Sequence, residues 1–114
     1  MGKYETTLTK FIPNPKDLTQ HFEVLNAAIE CDRLTRELIG SSITMAERFT
    51  SYADSLSKGN IWDPPSSSSA IHDISINSAR LRCSQENLAS LIRLTLGTDT
   101  LKQFLVELRK EFAA

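Results

Sequence analysis

The stretch AIHDISINSARLRCSQENLASLIRLTLG, residues 70–97, decides the fold. It holds no proline and closes on Gly97. On a wheel of 100° per residue, Ile71, Ile74, Leu81, Leu88, Ile92 and Leu96 form one stripe. Ile76, Cys83 and Leu94 form a minor stripe well separated from it. Arg82, Glu86 and Arg93 fill one gap between the two, and Asp73 and Arg80 fill the other. This predicts a helix over 70–96, about 40 Å long, with Ser69 as N-cap and Gly97 as the residue past its end. Ser78 and Gln85 lie on the main stripe. They read as edge residues reaching water, with a buried register-setting role as the alternative.

Upstream, the segment 59–69, GNIWDPPSSSS, is the one clear loop, because adjacent prolines stop a helix. Before it, two helices are expected. The first spans Pro15–Ile39, with Asn14 as N-cap and Gly40 as its stop. The second spans Ser42–Lys58 and ends at Gly59. Residues 1–13 suit either a short helix or an extended arm, since Tyr4, Leu8 and Phe11 have helical spacing among threonines. Downstream, Thr98 is the expected N-cap of a last helix over Asp99–Phe112. Gly40 and Gly97 then occupy matching places, a weak hint of duplication. The expected architecture is all-α: an elongated four-helix bundle or paired hairpins in long-short-long-short order. Residues 14–114 make one domain behind the N-terminal segment 1–13, and dimerisation is one way to complete it.

The short helices are one-sided. One groups Met45, Phe49, Tyr52 and Leu56, and the other groups Leu101, Phe104, Leu105, Leu108 and Phe112. The first long helix is two-sided. Leu18, Phe22, Leu25 and Ile29 make one stripe, which runs into the i,i+4 pair Asp32/Arg36. Val24, Ala27, Cys31, Leu34 and Leu38 make another on nearly the opposite face. A helix with two apolar faces needs neighbours on both. Either the short helices cover the outer faces or a partner chain does. The surplus faces, Val24, Cys31, Leu34 and Leu38 on one long helix and Ile76, Cys83 and Leu94 on the other, are therefore the candidate partner-binding residues. Ile61 and Trp62 join them as a loop anchor, because tryptophan dominates many interfaces; capping one end of the bundle is the other reading of that pair.

Composition narrows the function. The chain has 114 residues, 40% of them hydrophobic, which suits one domain with a core. Thirteen basic and 14 acidic residues leave a net charge of −1, so no strong field draws nucleic acid or an anionic membrane. Paired charges such as Arg33/Glu37 and Arg82/Glu86 read as solvated helix faces. Cys31 and Cys83 have no zinc spacing and read as two buried free thiols, with a disulfide as the alternative. His21 and His72 lack a second ligand at helical spacing, so no metal or cofactor is expected. No nucleophile sits beside a base, no phosphate loop occurs, and an enzyme is not expected. Neither a signal peptide nor a membrane span is read, which makes cytoplasmic the expected location. Gly2 and Thr6 fit the short N-myristoylation pattern, but an ordinary start is preferred. The expectation is a protein-binding module that binds protein, itself included, as an assembly subunit, adaptor or small inhibitor. The alternative is a nucleic-acid-associated regulator acting as a dimer.

Overall fold

The computed structural model describes residues 2–12, 21–59 and 68–113. These form four helices and no strand: α1 Lys3–Thr9, α2 Phe22–Ser57, α3 Ser68–Thr95 and α4 Thr98–Ala113. The order is short-long-long-short, and it differs from the expected one because Gly40 does not stop a helix. Among the described residues, only Gly59 and Gly97 have positive φ, at 86° and 97°. An interior glycine costs a helix about 1 kcal/mol, which packing on a neighbour readily offsets. Here the packing seam continues across it. Val24, Ala27, Cys31 and Leu34 are buried, and Leu38, Ser41 and Met45 extend the same three-and-four spacing half-buried against α3. Beside the glycine, Ser41 and Ser42 return their hydroxyls to the carbonyls of Glu37 and Leu38, at 3.0 and 2.8 Å. Gly40 and Gly97 are thus not equivalent, and the duplication idea loses its anchor.

Helices α2 and α3 pack antiparallel. Cys31 Sγ lies 3.3 Å from Ser84 Oγ, and ten residues further along α2 Asn77 donates to Ser41 Oγ at 2.7 Å. At the base of this hairpin, α1 packs on α2 and α4, and α4 packs on α3, which closes a four-helix square. The core lies there. Tyr4, Leu8 and Ile12 meet Val24, Ala28 and Cys31 of α2, Leu88 and Ile92 of α3, and Phe104 and Leu108 of α4. Phe11 and Phe104 meet edge-on at 6.4 Å, as do Tyr4 and Phe112 at 5.7 Å. Helix α1 and the last turn of α4 therefore meet. Lys3 Nζ donates to the Glu111 carbonyl at 2.9 Å, and Lys10 pairs with the Glu111 carboxylate, also at 2.9 Å.

The segment left open between helix and arm folds as the helix α1. Seven residues with three threonines cannot hold a helix alone. Burial of Tyr4, Thr7 and Leu8 supports it, and so does a distant cap. The buried carboxylate of Asp32 accepts the Tyr4 and Glu5 backbone N–H groups at 2.9 and 3.0 Å. It thereby satisfies two of the donors that a helix start leaves free. Asp32 is thus turned toward α1 and away from the expected pairing with Arg36. The backbone of Gly2 lies so close that a Cβ there would collide with the Asp32 carboxyl.

Beyond the base, α2 and α3 continue together as a two-helix arm. Among the described residues, no residue of α2 after Leu34 is buried, and none of α3 before Leu88. The molecule extends 62 × 25 × 21 Å, with a radius of gyration of 19.0 Å. A compact chain of this length would have about 13 Å.

Candidate interaction surface

The arm exists because α2 and α3 are long and α1 and α4 are not. Its seam is thin. Its half-buried residues include Leu38, Ser41 and Met45 on α2 and Ile74 and Asn77 on α3, so polar residues sit where a self-sufficient coiled coil would place leucine. Asn77 and Ser41 satisfy each other across it. What the arm lacks in buried apolar surface it displays. Ile39, Ile43, Phe49 and Leu56 of α2 and Ile71 and Ile76 of α3 are all exposed. Scattered apolar side chains on a surface mean little, but a run of large ones along one helix pair is a candidate contact surface.

Of the candidate residues, Val24, Cys31 and Leu34 lie in the interior of the chain's own fold, and Leu38 is half-buried on the seam. On the other stripe of the first long helix, Phe22 is 62% and Ile29 43% exposed, Leu25 packs half-buried against the core, and Leu18 lies outside the described residues. On α3, Ile76, Cys83 and Leu94 are exposed, and Leu94 reaches 78%. Leu34, Ile76 and Cys83 come together in one shallow groove of about 710 Å³, on the side of the hairpin turned away from α4. Leu94 continues its α3 stripe toward the base. Ile61 and Trp62 lie outside the described residues, so neither reading of that pair is resolved there.

The groove is bordered by charge. Arg33 bridges Glu30 and Glu37. The guanidinium bonded to Glu30 holds that carboxyl below its ordinary range. These groups are well exposed, so water screens them and they border the groove without adding much stability. The two thiols differ. Burial pushes the Cys31 thiol up, against the hydrogen bond it shares with Ser84. Cys83 is free and exposed rather than buried as expected, because it belongs to the outward stripe with Ile76.

Of the two polar residues on the main α3 stripe, one proves to be a contact. Gln85 reaches from the main stripe of α3 to donate to the Tyr4 hydroxyl at 2.7 Å, while Ser78 is exposed. Burial raises the Tyr4 phenol, and the Gln85 bond partly opposes that. Tyr4 and Gln85 border an apolar cleft of about 430 Å³ between α3 and α4, floored by Leu88, Phe104 and Leu108. His21 is half-buried at the start of α2, and His72 is exposed on the arm. Among the described residues, no three His, Cys, Asp or Glu side chains gather closely enough to hold a metal ion, and no helix is long and apolar enough to cross a membrane.

Asp32 is the residue that local rules misassign. An i,i+4 rule finds Arg36, and nothing in the spacing points to backbone 28 residues away. Compared with known proteins, the chain matches no family model, no curated protein and no solved structure.

Proposed function

We propose that this chain is a protein-interaction module, with the α2–α3 hairpin as its binding element and the four-helix base as its support. The observation that carries the reading is the arm. It projects past the core with large apolar residues exposed on both helices, and among the described residues it has no buried side chain of its own. An amphipathic helix pair of this kind recognises other helices through side chains spaced three and four apart. The base supplies rigidity through Phe104, Leu88 and Ile92, each nearly inaccessible. An assembly subunit or adaptor needs just such a division between a firm foot and an adhesive limb.

Affinity capture from the native cell tests this. The native chain should retain a defined protein partner, and a variant carrying Ile39→Asp and Ile76→Asp should lose it while keeping its helical circular dichroism. Retention of the same partner by both proteins, or of none by the native chain, would sink the reading.

A further inference from the structure

The front of the hairpin, where α1 and α4 sit, has a particular continuation. Asp32 of α2 faces α1, and the same face recurs seven residues on. Beyond the end of α1 it carries Ile39, Ile43, Ala46, Phe49, Ala53 and Leu56 at steps of three and four. On α3, Gln85 faces α1, and one and two heptads back stand Ser78 and Ile71, with Ile74 beside them. Ile39 and Ile43 are each 54% exposed, and Ile71, Phe49 and Leu56 are exposed beside them. Glu47, Arg48 and Asp54 all lie off this stripe, so the α2 half of the face is uncharged from Ile39 to Ser57. At the base, therefore, four helices enclose a core. In the arm the same inner face continues with two of the four helices missing.

We propose that a second copy of this chain supplies the missing pair, the fronts of two arms packing antiparallel to rebuild a four-helix section. This rests on the protein-interaction reading and names its partner. Three features select a copy over another occupant. The missing cover is itself a pair of helices, and the arm is such a pair. The face carries no α2 charge to meet an opposite one, so two identical faces do not repel, and Ala46 and Ala53 let helices approach closely. The size is of the right order. Nineteen residues of α2 beyond Leu38 span about 28 Å, and α3, which starts at Ser68 opposite about residue 50 of α2, flanks roughly 18 Å of that length. At roughly 10 Å of width per helix each copy offers on the order of 460 Å², and a pair roughly 900 Å², close to the ~1,000 Å² expected of a specific interface. Because α1 and α4 stand forward on the same face, parallel arms would drive the two bases together. Antiparallel arms place each base clear of the other, an isologous two-fold arrangement.

Light scattering during size exclusion tests this on the purified chain at tens of micromolar. The native chain should run at twice its mass of 12.8 kDa. Ile43→Asp with Ile71→Asp should run as a monomer with unchanged helical circular dichroism, and Ile43→Ser with Ile71→Ser should do the same if the aspartates unfold it. Leu94→Asp, on the opposite side of α3, should remain dimeric. A monomeric native chain, or a dimer that survives the front-face substitutions, overturns the proposal. A monomer that still captures a different protein through the arm would overturn this pairing alone and leave the interaction reading standing.

Discussion

Asp32 and Gly2 behave as one unit. The carboxylate sits where the first turn of α1 offers two N–H groups, and only a residue without a side chain lets the backbone pass so near. Losing a buried charged acceptor that caps a helix costs about 2 kcal/mol. Asp32→Ala should lower urea stability by about that much, and Gly2→Ala by about 1–2 kcal/mol through the collision. Once Asp32 is alanine the obstruction is gone, so Gly2→Ala should then cost only tenths of a kcal/mol. A four-way cycle of urea melts measures this, and simple additivity would mean that the two residues do not act on each other. None of it could be read from spacing. The sequence shows Asp32 one turn from Arg36, and its true partner is backbone that arrives only when the fold closes.

Elements were legible where apolar periodicity is dense and opaque where one residue was asked to decide. Leu88 and Ile92, toward the base end of the α3 stripe, are buried as their spacing implies, as are Phe104 and Leu108 of α4, whereas Ile71 at its arm end is exposed. Gly97 ends α3 with φ 97°, its N–H reaching back to the Ile92 carbonyl at 3.1 Å. Gly40 has the same sequence context, a glycine after an apolar run, yet the seam against α3 carries the helix through it. The burial ranking of the two stripes on the first long helix was equally hidden, because a wheel shows that two faces exist and not which neighbour reaches either one. The glycines therefore separate on substitution. Gly40→Ala should stabilise by about 1 kcal/mol, since a Cβ there meets open space in a helical conformation. Gly97→Ala should destabilise by about 1–2 kcal/mol, because its backbone is left-handed. Thermal melts of the two variants decide it, and a destabilised Gly40→Ala would mean a break in α2.

Across the whole molecule, stability is expected to fall from base to tip. Amides over 24–34 of α2 and 88–92 of α3 sit on the core, whereas those over 43–57 have no buried side chain beneath them. Hydrogen exchange should find the base opening only with global unfolding and the arm opening locally in the monomeric Ile43→Asp, Ile71→Asp variant. Native chain at dimer-forming concentration should protect the arm more strongly. Equal protection along α2 in the monomer would contradict the gradient. The overall class, helical and elongated, was legible from length and stripe geometry. The position of the core at one end was not, because it depends on α1, where the helical spacing of Tyr4, Leu8 and Phe11 competes with threonines that suit an extended arm equally.

Lys3 bonded to Glu111, and Tyr4 packed on Phe112, have a kinetic meaning as well. The contacts that complete the core join residues more than 100 positions apart, whereas α3 and α4 meet across a turn of two residues. Loop-closure entropy makes the long-range step the late one. A nascent chain leaving the ribosome can form helices early, but it cannot shut its core until its final helix has emerged. Until then its apolar surfaces stand open together, and newly made copies are at their most adhesive.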